Sequence, residues 1–394
     1  MDKTLGLACN ISTGKLDANQ AVSGGEYPFF TCAEFPDQID HFAYDDDVVL
    51  VAGNNARGNF HVSRYKGKFN AYQRTYILTA KEGFNIDYIY YALKLELKRL
   101  REKSQGSQTK FLTMPILTGI HLSDITGDEQ TEIASILSTI DKKIELNNRI
   151  NTELEAMAKT LYDYWFVQFD FPDVNGKPYK ASGGKMVYND TLKREIPEGW
   201  SDKTLSQIAN ITMGQSPAGS SYNEEGTGTI FYQGSTDFGW LFPSTRQYTT
   251  APSRMAKKGD ILLSVRAPVG DMNIANTDCC IGRGLAALNS KAGSDGFLFY
   301  VMKYFKQIFD RRNSEGTTFG SITKNDLHSL TLAYPTADLL EKYDEVVTNY
   351  NKMIFERSLE NRELVNLRDW LLPMLMNGQV TVKPSTESQE TLHG

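Results

Sequence analysis

The chain has 394 residues, 40% hydrophobic and 23% charged, with a formal net charge of −6, a length that suits two to four domains, each large enough to bury a core. No apolar run approaches bilayer length and the opening MDKTLGLACN lacks a charged-then-apolar leader, which argues against a membrane-spanning or exported protein. The four cysteines, Cys9, Cys32, Cys279 and Cys280, have no zinc-type spacing and read as free thiols in a reducing cytoplasm.

In chain order, strand-like runs are VVLV (48–51) and TYILT (75–79), followed by a short helix over 86–103. A longer helix is expected from Asp128 to Phe166, with Asp128 and its neighbours Thr126 and Gly127 as the N-cap. Its apolar stripe runs through Ile133, Leu137, Ile140, Ile144, Leu154, Leu161 and Trp165. It ends in LYDYWFVQFDFP, and the polar segment after that reads as a flexible linker. The second half offers ILLSV (261–265), a short helix over 296–311, LTLAYP (330–335) and a second long helix with Tyr343, Val347, Tyr350, Ile354, Leu364 and Leu371 on its stripe. Polar loops such as AGNNARGN and MGQSPAGSSYNEEGTGT lie between these elements.

The two halves repeat one another. Sliding the chain by 210 residues sets Gly106 on Gly316, Thr113 on Thr323, Leu117 on Leu327 and Leu122 on Leu332. The register continues without a gap through Ile144 on Ile354, Asn151 on Asn361 and Leu161 on Leu371. A weaker echo joins DDDVVLVAGNNARGNF to KKGDILLSVRAPVGDMN, and FNAYQRTYIL to CCIGRGLAAL, with Arg74 near Arg283. The fold class is therefore α+β: a tandem duplication of an α/β domain plus a long helix. The two helices are expected to pair as an antiparallel coiled coil, with Asn151 and Asn361 on the stripe setting register. Each rod of about 39 residues is roughly 58 Å long.

Charge follows the same division. Residues 128–170 hold nine acids against four bases, and 338–369 hold eight against five. The two helices thus account for −8, which leaves +2 for the remainder of a chain whose total is −6.

The duplication, the LYDYWFVQFDFPDVNGKPYKASGGKM segment, the IPEGW entry and GDILLSVRAPVG together resemble the specificity (S) subunit of Type I restriction–modification enzymes, over almost the whole chain. The resemblance implies two target-recognition domains (1–125 and 196–335), each reading half of a split, asymmetric DNA sequence. It also implies two spacer helices (126–170 and 336–382), a linker (171–195) and a C-terminal tail (383–394). The partners implied are double-stranded DNA, two methyltransferase (M) subunits and restriction (R) subunits, with no membrane and no cofactor. The sequence departs from the pattern at its start, where no counterpart of the IPEGW entry precedes the first domain.

Catalysis is disfavoured by the residues themselves. No Pro-Pro pair of an adenine-methyltransferase pocket occurs, and no GxxxxGK[ST] phosphate loop. Asp45 to Asp47 form the one carboxylate cluster suited to a nuclease, and their counterpart KKGD keeps a single acid. A self-contained methyltransferase or nuclease, or a coiled-coil scaffold that reads no DNA, are the alternatives.

DNA reading calls for guanidinium, amide and hydroxyl groups on loops. In the first half these are Asn54, Asn55, Arg57, Arg64, Lys66, Lys68, Arg74, Ser107, Gln108 and Lys110. In the second they are Gln215, Ser216, Gln233, Ser235, Arg254, Lys257, Lys258, Arg266, Arg283, Thr317 and Thr318. The aromatic end of the first helix, Trp165 and Phe166, is expected to dock on the second half or on a partner subunit. The rest of the helix and partner interface is Ile140, Ile144, Asn151, Leu154, Ile354, Asn361, Leu364 and Leu371.

Overall fold

A computed structural model describes residues 3–54, 60–103, 111–314 and 321–382. The chain divides into two compact units, one of residues 1–146 with 361–394, the other of residues 147–360.

In the first unit, Cys9–Thr13 (β1), Tyr27–Phe30 (β2), Asp37–Ile39 (β3), Tyr44–Ala52 (β4), Val62–Ala71 (β5) and Thr75–Ala80 (β6) form a sheet ordered β1-β6-β4-β5-β2-β3. Strand β4 explains itself by its pattern. Val48 and Leu50 face one buried cluster with Phe30 and Phe69, while Val49 and Val51 face another with Leu78, Ile89 and Leu93. Two-sided burial is what a continuous apolar run is suited to. Its acidic start is part of the strand: Asp45 lies opposite Lys68 and Asp47 opposite Lys66 in the β5 register. The DDD run is thus a cross-strand charge ladder.

Helix α1, Ile86–Lys103, is capped by Asn85, whose Oδ1 accepts from the backbone of Asp87 (2.9 Å) and Tyr88 (3.0 Å). The long helix α2, Gly127–Tyr162, starts one residue before the expected Asp128. Its cap is Thr126: the hydroxyl accepts from Glu129 N (3.2 Å), and Glu129 Oε2 accepts from Thr126 N (2.7 Å). This reciprocal pair satisfies two otherwise free donors, whereas a single aspartate would meet one.

The second unit has the same plan. Ala209–Met213 (β7), Ile261–Ser264 (β8), Met272–Ile274 (β9) and Leu285–Ser290 (β10) are ordered β7-β10-β8-β9, which reproduces β1-β6-β4-β5. Helix α3 spans Asp295–Ser314, and the second long helix, α4, spans Ala337–Met376. Lys3–Thr4 pairs with His121–Leu122 as Ser201–Thr204 pairs with Thr331–Tyr334.

The long helices lie alongside each other within each unit. In the second, Asn147 Nδ2 donates to Glu360 Oε2 (2.8 Å), Asn151 Nδ2 to Ser358 Oγ (3.3 Å) and Tyr343 Oη to the Ala158 carbonyl (3.4 Å). Numbers rise on one helix as they fall on the other, so the two run antiparallel there. In the first unit Arg368 Nη1 bonds Asp141 Oδ1 at 2.9 Å. The stripe serves the domain cores too: Ile133 and Leu137 join the first unit's cluster, and Tyr343, Val347 and Ile354 are buried in the second. Ile140 is buried, while Ile144, Leu154, Asn361, Leu364 and Leu371 are partly so.

Trp165 and Phe166 dock on the second half. The helix closes in a π-helical turn, Asp163–Val167, with Gln168 N bonded to Asp163 O at 2.8 Å. Phe166 then packs 4.9 Å from both Phe297 and Tyr343, and Trp165 lies 5.9 Å from Tyr343. The segment after it departs from the flexible linker expected. Phe171 is stacked between Tyr179 (4.6 Å) and Trp200 (5.4 Å), and Asp173 Oδ1 accepts from the backbone of Asn175 and Lys177, both at 2.8 Å. Ring burial and an Asx turn fold it as part of the second unit.

Candidate nucleic-acid interface

In the second unit, loops far apart in sequence meet beyond the ends of the sheet strands. Gln215 N bonds Ile281 O (3.0 Å), and Ser253 Oγ donates to the Gln215 carbonyl (2.5 Å). Ile281 N bonds the Arg254 carbonyl (2.9 Å), Gly284 N that of Gln233 (3.1 Å), and Val265 N that of Gly284 (2.9 Å). The Ser216 hydroxyl accepts from Gln233 Nε2 (2.9 Å) and from Arg283 N (3.3 Å). Gln215, Ser216, Gln233, Arg254, Arg266 and Arg283 are thereby gathered into one patch.

The glycines flanking Arg283 make this possible. A Cβ on Gly282 would stand 2.9 Å from Gln233 Cα, and one on Gly284 2.8 Å from its carbonyl oxygen. Only bare backbone approaches so closely. Arg254, Arg266 and Arg283 are all exposed, and none makes an ion pair among the described residues. Ser216 and Gln233 bond one another, so they shape the loop that carries Arg283.

The first unit builds the same junction from different residues. Tyr72 N bonds Phe30 O (2.9 Å) as Gly282 N bonds Tyr232 O (2.8 Å). Gly53 N bonds Arg74 O (2.8 Å) as Val265 N bonds Gly284 O, and Leu112 N bonds Gly53 O (2.9 Å) as Ile322 N bonds Val265 O (2.8 Å). The bridges Asn54 to Phe111 and Arg266 to Ser321 are likewise equivalent. Position by position, Asn54 corresponds to Arg266, and Gln73, not Arg74, corresponds to Arg283. The sequence match of Arg74 with Arg283 followed residue identity, whereas the 210-residue shift already set Gln73 there. Gln73 is therefore the residue that sequence reading missed. It is exposed, and its Nε2 donates to Asp17 Oδ1 at 2.7 Å. Arg74 is exposed beside it, its guanidinium 5.9 Å from the centre of the Phe111 ring.

Arg64 is engaged within the domain. Its side chain bonds Asp47, Asp87 (2.6 Å) and the carbonyls of Val48 (3.2 Å) and Tyr65 (3.0 Å). Through Nε and Nη1 it ties β4 and β5 to α1. Burial pushes the Asp47 carboxyl up, but hydrogen bonds and charge from Arg64, with Lys66, outweigh it and hold the group below its ordinary range. A depressed carboxylate adds stability above its unfolded pKa and loses it as pH falls through the folded one. Wild-type stability should accordingly fall as the medium is acidified below the ordinary carboxylate range. Arg64→Met should cost about 1–2 kcal/mol at neutral pH and flatten that slope, while leaving DNA preference unchanged, as urea unfolding across pH would measure.

Lys66 is exposed near Asp47 (3.5 Å), and the Lys68 ammonium sits 4.6 Å from the centre of the Phe42 ring. Lys257 is ion-paired with Asp278 at 3.0 Å, Lys258 lies over the Phe355 ring, and Ser235 Oγ is 3.4 Å from Ser264 Oγ. Asn55, Arg57, Ser107, Gln108, Lys110, Thr317 and Thr318 lie outside the described residues. No helix among the described residues is long and apolar enough to cross a membrane.

Comparison with known proteins agrees with this geometry. The sequence matches the family described as Type I restriction modification DNA specificity domain twice, over residues 1–156 and 197–352. It is 32% identical to a putative type I restriction enzyme MjaX specificity subunit of Methanocaldococcus jannaschii, across 81% of this chain and 70% of that protein. Against the type I restriction enzyme EcoDI specificity subunit of Escherichia coli it is 28% identical, across 99% and 90%. The crystal structure of a Type I restriction–modification S subunit from M. genitalium shares the fold at a TM-score of 0.60, with 19% identity over 95% of this chain and 96% of that one. The chain belongs to the Type I restriction–modification DNA specificity family.

Proposed function

We propose that this chain is the DNA-specificity subunit of a Type I restriction–modification complex, a non-catalytic protein that reads a bipartite, asymmetric target and positions methyltransferase subunits on it. The observation that carries this reading is the duplicated junction. One backbone framework occurs in both units and presents Gln73 with Arg74 in the first, and Arg254, Arg266 and Arg283 in the second. Identical readers would call for a symmetric target; unlike side chains on one framework call for two different half-sites. The long helices, running antiparallel where they touch in the second unit, then act as a coiled-coil spacer. Restriction subunits join the same assembly.

The surplus of about +2 outside the helices is small for a duplex binder. Phosphate neutralisation is accordingly left to the methyltransferase partners. In salt titrations, the isolated chain should bind target DNA at least about a hundredfold more weakly than the methyltransferase-containing complex, with a shallower dependence on salt. Equal affinity for the lone chain would refute this division. A footprint over one continuous run of bases would refute the two-part reading.

A further inference from the structure

We infer that positions 73 and 283 are one and the same base-reading position in the two units, and that Gln73 takes an adenine in one half-site while Arg283 takes a guanine in the other. This rests on the specificity-subunit reading and deepens it by assigning a base to each half.

The equivalence is geometric. The residue before each position bonds a strand-end carbonyl (Tyr72 N to Phe30 O, Gly282 N to Tyr232 O), and two residues on, Thr75 N and Leu285 N close the same turn onto Tyr72 O (2.8 Å) and Gly282 O (3.0 Å). Gly14 N to Thr75 O (3.1 Å) and Gly214 N to Leu285 O (2.9 Å) tie down the next loop in both. Each side chain therefore leaves from the tip of the same turn, at an exposed position.

The chemistry at that tip differs. Aspartate can only accept, so the contact with Asp17 Oδ1 assigns the donor end of the Gln73 amide. One N–H is spent on Asp17. The other N–H and the carbonyl oxygen, which has no partner among the described residues, remain available. That donor and acceptor match adenine N7 and N6–H2 in the major groove. Asp17 fixes the amide so that the reverse pattern is not offered. Among the described residues no acid is bonded to the Arg283 guanidinium, and its backbone N–H is engaged by Ser216. A guanidinium fork offers donors alone, the match for guanine O6 and N7. Gly282 and Gly284 deny the turn any other side chain, leaving Arg283 as its one probe.

The test uses the chain in complex with its methyltransferase partners and a duplex library randomised across the target, read by which sequences are bound and methylated. Arg283→Ala should lose about ten- to hundredfold discrimination at a single guanine-containing pair of one half-site, with the other half-site unchanged. Gln73→Ala should do the same at one adenine-containing pair of the other half-site. Arg283→Gln keeps the bulk of the side chain and supplies the same readout if the alanine variant does not assemble. A fall in affinity that is uniform across sequences and reduces the salt slope by about one phosphate would make Arg283 a backbone contact and overturn the inference. So would unchanged preferences in both variants. A wild-type complex that selects no split target would instead sink the specificity-subunit reading itself.

Discussion

Replacing Phe166 by alanine should lower the unfolding free energy of the second unit by about 3–5 kcal/mol, measured by urea denaturation followed through tryptophan fluorescence. Phe166 is 4% exposed, with the rings of Phe297, Tyr343 and Trp200 at 4.9, 4.9 and 6.0 Å. Removing it opens a cavity among rings held by different elements: the end of α2, the start of α3, the first turns of α4 and the IPEGW entry. None of these can close the gap alone, which places the cost at the upper part of the range for aromatic truncations. The π-helical turn is what brings Trp165 and Phe166 inward together, since five-residue winding shifts the face of the helix at its end. Phe169 then turns the chain with φ of +67°, a conformation costly for a bulky residue, and is repaid by burial edge-on against Trp200 at 5.3 Å. A loss below about 1 kcal/mol would show that these rings are not packed as described.

Arg368→Ala should cost the first unit about 2–3 kcal/mol, and a double-mutant cycle with Asp141→Asn should recover a coupling of about 1–2 kcal/mol. Arg368 Nη1 reaches Asp141 at 2.9 Å, and the Tyr91 hydroxyl donates to the other oxygen of that carboxylate at 2.7 Å. The two charged side chains are only 20% and 28% exposed, so truncating the cation strands a poorly solvated carboxylate. Burial, and then the bond to Asp141, push the Tyr91 hydroxyl well above its usual range, so it stays a donor at any working pH. One network thus joins α1, α2 and α4 and sets how the first domain sits on its helices. Additive single-mutant costs, with no coupling, would show that the carboxylate bridges nothing.

Much of the candidate site was legible in the residues because a duplication shows itself by register. The shift of 210 residues that matched the Gly-Thr segments also sets Gln73 on Arg283, at the tip of the equivalent turn in each half. What misled was identity: two arginines one place apart look alike in sequence, yet backbone bonds to Phe30 and Tyr232 show that Gln73 holds the matching place. The partners of Arg64 were hidden for another reason. A lone basic residue carries no mark of its partners, and Asp47 and Asp87 reach it only once β4 and α1 are packed.

By itself the sequence determined the α+β duplication, the positions of VVLV, TYILT and ILLSV as strands, both long helices and the absence of methyltransferase or phosphate-loop motifs. These are local or periodic properties, set by side-chain spacing along the chain. Only the tertiary structure decided that α2 and α4 each lend one end to each unit, that the segment after Phe169 is folded, and that Gln215, Gln233, Arg254 and Arg283 share a surface. Those depend on specific contacts, several between residues tens of positions apart, which no period or composition encodes.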